Sequence, residues 1–231
     1  MDSYKELRER VWEANMELPG KNLVIYTFGN VSGIDREHGI IAIKPSGVPY
    51  EELKPENIVL VDMDNTVVDS GYNPSSDTKT HLVLYKNFPK IGGIVHTHST
   101  YATAWAQAQK PIPCLGTTHA DYVCGDIPCT GLITDEQIRG DYEEETGKLI
   151  VERFRDLSYE TVPMVLVAAH GPFTWGKSPK EAVHNSVILE ELAKMAFFTM
   201  SINNSATGID KTLIDKHFFR KHGKDAYYGQ K

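Results

Sequence analysis

Ile91-Gly92-Gly93-Ile94-Val95-His96-Thr97-His98 is a short apolar run that opens on two glycines and closes on two histidines one residue apart. It is too short for a helix, and its β-branched centre favours a strand. Side chains alternate between the faces of a strand, so His96 and His98 share a face, their backbones roughly 6–7 Å apart. Two imidazoles in that arrangement can reach one metal ion at about 2.0–2.1 Å each. Neighbouring histidines also occur on surfaces without any ligand, so the pair gains meaning only from a third ligand.

A second apolar run, Met164 to Ala169, reads as a strand that delivers His170 at its end, before the turn Gly171-Pro172. Two strand ends that converge would supply three nitrogen ligands and leave open positions for substrate. Asp77, in Pro74-Ser75-Ser76-Asp77-Thr78, can add a carboxylate from the first turn of a helix. The plainer alternatives are a histidine that merely caps a strand and an acidic residue that complements a helix dipole.

Outward from these runs the chain alternates strand and helix signals. Besides Val165-Leu166-Val167-Ala168 within the run before His170, β-type runs occur at Leu23-Val24-Ile25-Tyr26, Ile40-Ile41-Ala42-Ile43 and Ile58-Val59-Leu60-Val61. The tight connection Asp64-Asn65 suggests a hairpin, so many strands should be antiparallel. Leu7, Val11, Ala14 and Leu18 predict a helix over residues 3–18, stopped by Pro19-Gly20. Helices are also expected over 76–88, from the capping sequence Ser178-Pro179-Lys180-Glu181 to about Ser201, and over 209–222. The last ends at Gly223, which suits a left-handed cap. The sum is an α/β fold in one domain, residues 1–231, with a sheet covered by helices.

The whole chain bounds the function class. It has 231 residues, 41% hydrophobic and 24% charged, and a formal net charge of -7. That balance argues against general binding to nucleic acid or to an anionic membrane. No run approaches the roughly 18 apolar residues of a membrane span, and Met1-Asp2-Ser3-Tyr4-Lys5-Glu6 does not resemble a signal peptide. Cys114, Cys124 and Cys129 are then expected as reduced thiols in the cytoplasm.

Three segments suit a phosphate. Ser75-Ser76 precede a helix start, where free N–H groups favour an anion. Gly29-Asn30 and Lys44-Pro45-Ser46-Gly47 follow apolar runs and offer exposed amides and one cation. Each also serves as an ordinary turn. No GxGxxG or GxxxxGK[ST] pattern occurs, so a nucleotide cofactor has no local support. His119-Ala120-Asp121-Tyr122 in a loop-like stretch and Tyr227-Tyr228 near the C-terminus are the acid–base candidates, with packing as their alternative.

These motifs together resemble one family. Thr27-Phe28-Gly29-Asn30-Val31-Ser32, Ile43-Lys44-Pro45-Ser46-Gly47-Val48, Pro74-Ser75-Ser76-Asp77-Thr78, Gly93-Ile94-Val95-His96-Thr97-His98-Ser99, Gly116-Thr117-Thr118-His119-Ala120-Asp121-Tyr122, His170-Gly171-Pro172-Phe173 and Tyr227-Tyr228-Gly229-Gln230 follow the order found in the L-ribulose-5-phosphate 4-epimerases of the class II aldolase/adducin superfamily. The resemblance implies a three-layer α/β/α fold on a mixed, mostly antiparallel sheet. It implies one zinc ion per subunit on His96, His98 and His170, with Asp77 at the position of a fourth ligand, though imidazole sites accept other divalent ions as well. It implies a sugar-phosphate substrate held by Gly29, Asn30, Lys44, Ser46, Gly47, Ser75 and Ser76, with His217 nearby. Asp121 and Tyr228 are implied as the acid–base pair, acting across the subunit interfaces of a homotetramer. Gly131 stands where these epimerases carry a basic residue. The related fuculose- and rhamnulose-phosphate aldolases carry Glu at the position of Asp77.

The implied reaction interconverts L-ribulose 5-phosphate and D-xylulose 5-phosphate, a step of pentose breakdown from arabinose or ascorbate. The proton on C4 is not adjacent to the carbonyl, so its direct removal would leave an unstabilised carbanion. Breaking the C3–C4 bond instead gives an enediolate, whose charge a divalent cation stabilises, and glycolaldehyde phosphate, which re-adds on its other face.

Overall fold

Ile40, Ile41, Ala42 and Ile43 are all buried, which a strand achieves only when both faces of its sheet are covered. The computed structural model, which describes residues 4–69, 71–223 and 226–228, has that architecture. Strands β1 Asn30–Asp35, β2 Ile40–Ile43, β3 Val59–Asp62, β4 Val67–Asp69, β5 Gly93–His96, β6 Met164–Leu166 and β7 Pro172–Gly176 form one sheet in the order β4-β3-β2-β1-β5-β7-β6. Every ladder is antiparallel. Among the described residues a single parallel bridge, Cys129 to Leu166, is what remains of the expected mixed character. The Asp64-Asn65 hairpin joins β3 to β4, with Asn65 at φ 64°.

Alternate residues feed two cores. Ile41, Ile43, Val59 and Val61 pack under helices α2 Thr78–Asn87, α3 Thr100–Gln107 and α6 Tyr142–Arg153. Ile40, Ala42 and Leu60 pack under α1 Lys5–Gly20, through Leu7, Val11, Ala14 and Leu18. The long helix α7 Pro179–Ile202 serves both cores, Ala182 and Val183 in one and Leu189 and Leu192 in the other. Helix α8 Lys211–His222 packs on the short α4 Thr117–Ala120, and α5 Asp135–Arg139 leads into α6. Three layers result.

The strand that carries the histidine pair is tightly seated. A Cβ added at Gly93 would lie 2.4 Å from the backbone nitrogen of Pro179, so the start of β5 accepts only glycine against the entry of α7. That entry is capped as expected, Ser178 Oγ accepting from the Glu181 amide. The Glu181 carboxylate turns to the Lys177 amide, at 2.7 Å.

Several boundaries depart from the sequence expectation. Residues 23–26 are not a strand: Tyr26 has φ 53°, the Phe28 amide closes a turn on Ile25 O, and Ile25 and Tyr26 are exposed. A positive φ at a bulky residue breaks extended pairing. Pro19 lies inside the last turn of α1 instead of ending it, and the expected start at residue 3 lies outside the described residues. Strand β6 stops at Leu166, so His170 sits in the turn before β7 and not at a strand end. Asp121 follows a helical turn, not a loop. Gly223 has φ -77°, so α8 does not end on a left-handed cap.

Candidate metal centre and anion cradle

His96 is the last residue of β5 and pairs with Asn30 across the ladder to β1. His98 follows two residues later, as strand alternation requires. The β6–β7 turn is closed by the Val167 amide on Gly171 O and the His170 amide on Val167 O, with Ala169 at φ 60°. It swings the third imidazole onto the other two. Ring centroids of the three lie 4.9, 4.8 and 5.1 Å apart, and one ring nitrogen of each falls within 4.8 Å of the others. Gly171 makes this closeness available: a Cβ there would press on Thr97 O at 2.8 Å and approach the rings of His96 and His98.

The hydrogen bonds choose the tautomers. His96 Nδ1–H donates to Pro172 O at 2.9 Å, which leaves the Nε2 lone pair free. That nitrogen faces His98 Nε2 at 3.1 Å. His170 Nδ1 lies 3.2 Å from the Tyr142 hydroxyl, so its Nε2 can likewise face the group. Burial lowers the pKa of His98 and, with help from its neighbours, pushes that of His170 down to about 4. Neutral imidazoles with converging lone pairs fit a divalent cation and repel one another without one.

Asp77 caps α2 beside them but lies outside the group within 4.8 Å. Its Oδ2 accepts from Asn30 Nδ2 at 2.6 Å. Burial pushes the Asp77 carboxyl up, yet His96, His81 and the Asn30 bond outweigh it and hold the group below the usual carboxylate range. The histidine share counts only while those rings carry a proton, so the Asn30 bond is the cause that persists.

The histidines line a cleft of about 570 Å³ whose other wall comprises Gly29, Asn30, Lys44, Ser46, Gly47, Ser75 and Ser76. All the residues expected around a phosphate except His217 are therefore together. Gly29 and Gly47 have φ of 75° and 69°, the left-handed backbone that turns amides toward an anion. The Ser75 amide bonds Lys44 O, and Tyr50 holds Phe28 O and Gly29 O at 3.0 and 3.1 Å. Lys44 is buried, with no carboxylate partner among the described residues. Its ammonium donates to Val48 O at 2.9 Å and to Thr27 O, and lies 4.8 Å over the Tyr50 ring. Burial pushes its pKa down to about 8.

Asp121, His217 and Tyr228 are not in this cleft. Asp121 accepts from His217 Nδ1 at 2.9 Å and from Arg220 at 2.8 and 2.9 Å, with Lys221 at 3.3 Å. Arg220 and Lys221 in turn lie 5.1 and 4.5 Å over the Tyr228 ring, which is 61% exposed. Burial raises the Asp121 carboxyl, and its cationic partners outweigh that and hold it low. Gly229 and Gln230 of the tail motif lie outside the described residues. Sequence reasoning missed Tyr142 and Glu143, which line the cleft. The Lys79–Asp141 ion pair ties the start of α6 to α2 and so brings them there, a long-range contact with no local signal.

Two buried histidines outside the group set a pH dependence. Burial pushes His81 down to about 3 and His119 down to about 4, and neither Nε2 has a partner among the described residues. Between pH 6.5 and 4 the unfolded chain binds more protons than the folded one, so stability falls as pH falls across that window. Each group contributes up to about 1.4 kcal/mol per pH unit. Urea midpoints of the metal-free protein are expected to drop steadily from pH 6.5 to 4; a constant midpoint would contradict the burial of these rings.

The model of the class II aldolase and adducin N-terminal domain matches residues 9–197. The chain belongs to this family. It is 56% identical over 227 residues to L-ribulose-5-phosphate 4-epimerase UlaF of Salmonella paratyphi C (strain RKS4594), covering 98% of this chain and 100% of the relative. It is 55% identical, with the same coverage, to the protein of that name from Salmonella paratyphi A (strain ATCC 9150 / SARB42). Among solved structures, an L-fuculose 1-phosphate aldolase superposes with a TM-score of 0.77 at 24% identity, over 92% of this chain and 94% of that one. The L-fuculose 1-phosphate aldolase of Glaciozyma antarctica PI12 gives 0.76 at 18%, over 96% and 84%. These likenesses establish the class II aldolase fold. Among the described residues no helix is long and apolar enough to cross a membrane.

Proposed function

We propose that this chain is an L-ribulose-5-phosphate 4-epimerase, which interconverts L-ribulose 5-phosphate and D-xylulose 5-phosphate by breaking and remaking the C3–C4 bond. The observation that carries the reading is one cleft with three converging imidazoles on one wall and an anion cradle on the other. The 56% identity to a protein named for this activity supports the choice of substrate.

His96, His98 and His170 would hold the cation, with Asp77 as a buried carboxylate beside it. A zinc ion, when bound there, supplies a Lewis acid for the negative charge that develops on the ketose oxygens. The amides and hydroxyls of Gly29, Asn30, Ser46, Gly47, Ser75 and Ser76 bind the phosphate, and Lys44 adds a buried positive charge behind them. This grip keeps the aldehyde fragment in the cleft while its carbonyl turns over, so the fragment re-adds instead of leaving.

Asp121 and Tyr228 carry the protons, one on each face of the aldehyde. In a single copy they gather away from the cleft, so they act from a second copy, as a homotetramer with sites at its interfaces provides. Arg220 and Lys221 lie over the Tyr228 ring and also bond Asp121, so the same two cations join the two proton carriers.

Supplying dihydroxyacetone and glycolaldehyde phosphate alone tests the bond-breaking step. The metal-loaded protein is expected to condense them into both pentulose phosphates. Formation of neither, by protein that still converts the intact sugar, would exclude cleavage and re-addition.

A further inference from the structure

Two of the three imidazoles are held from behind, and by different means. His96 leaves the end of a paired strand, and its Nδ1 rests on a backbone carbonyl, Pro172 O, at 2.9 Å. His170 stands in a turn, between the left-handed Ala169 and Gly171, where no ladder sets its direction. Its Nδ1 meets a side chain, the Tyr142 hydroxyl, at 3.2 Å. Tyr142 is the first residue of α6 and lines the cleft.

The place of Tyr142 is fixed on both sides by α2, the helix that Asp77 caps. Asp141, just before it, pairs with Lys79. Just after it, Glu143 O accepts from Thr80 Oγ1 at 2.6 Å. Thr146 Oγ1 donates to Tyr142 O at 2.8 Å from the next turn of α6. The two helices touch closely enough that a Cβ on Gly147 would lie 2.7 Å from Val83 Cβ and 3.2 Å from Thr80 O. The start of α6 is thus clamped, and a clamped residue can hold a less constrained one.

Counting protons gives the bond its direction. A neutral imidazole carries one proton, and only with that proton on Nδ1 does Nε2 keep a lone pair for a cation. His170 Nδ1–H then donates and the Tyr142 oxygen accepts, the usual arrangement behind a ligating histidine.

We propose that Tyr142 is a positioning residue of the metal centre, whose hydroxyl accepts from His170 Nδ1–H and holds that ring with Nε2 toward the cation. The proposal rests on the reading of the cleft as a metal site. Tyr142 acts through His170 and takes no part in the bond-breaking step.

The test is zinc titration of the metal-free protein against a chromophoric chelator, for the wild type, Tyr142→Phe, His170→Asn and the double variant. Tyr142→Phe keeps the half-buried ring and removes only the hydroxyl, so the fold should stand. It is expected to weaken zinc binding about ten- to a hundred-fold. The double variant is expected to bind no more weakly than His170→Asn alone, because the hydroxyl then has no ring to hold. At saturating zinc, the KM of Tyr142→Phe for L-ribulose 5-phosphate is expected to return to the wild-type value. Unchanged zinc affinity in Tyr142→Phe, or a loss retained in full beside His170→Asn, would overturn the proposal. A KM that stays raised at saturating zinc would place the hydroxyl against the substrate and overturn it as well. A wild type that binds no zinc would instead overturn the metal reading, a result seen before any variant is made.

Discussion

A His98→Asn variant is expected to lose metal and turnover together. His98 Nε2 faces His96 Nε2 at 3.1 Å, and its removal leaves two imidazoles where a catalytic site needs three. The side chain is open to the cleft, not part of the core, so the fold should stand. The transition state then loses its main charge stabiliser. At 1.36 kcal/mol per factor of ten, a loss of about 4 kcal/mol or more lowers kcat/KM by roughly a thousandfold or beyond. Elemental analysis of the purified variant beside steady-state rates checks both halves. Full zinc content with lost turnover would remove His98 from the ligand set.

Mixing His98→Asn with Tyr228→Phe is expected to restore activity that neither protein has alone. Tyr228→Phe keeps the ring that Arg220 and Lys221 cover and deletes only the hydroxyl. Loss of a proton carrier costs about 10²–10⁴-fold. If each site pairs the histidines of one copy with Tyr228 of another, some interfaces of a mixed ring unite two intact halves. Random exchange in a cyclic tetramer gives roughly a quarter of them. Rates after subunit exchange should therefore rise far above either parent. Mixtures that stay at parental rates would mean that each site is completed within one chain.

The histidine pair was legible because strand alternation is a local rule, and the placement of His96 and His98 follows from it. His170 was legible as a residue but not as a position. Its turn depends on a left-handed Ala169 and on a Gly171 pressed against Thr97, neither of which a hydrophobic pattern records. Residues 23–26 look like a strand by composition, and a left-handed Tyr26 overrules them. The phosphate segments each read as a turn; only the bonds between Ser75 and Lys44 and between Tyr50 and the 28–29 backbone show them as one cradle. Tyr142 and Glu143 reach the cleft through an ion pair between two helices, which no local signal announces.

The most direct measurement is product analysis after incubating the zinc-loaded protein with L-ribulose 5-phosphate, with and without a chelator. The account predicts D-xylulose 5-phosphate as the main product, abolished by the chelator and restored by zinc. Accumulation of free dihydroxyacetone and glycolaldehyde phosphate without xylulose 5-phosphate would contradict it, and would make the protein an aldolase that releases its fragments.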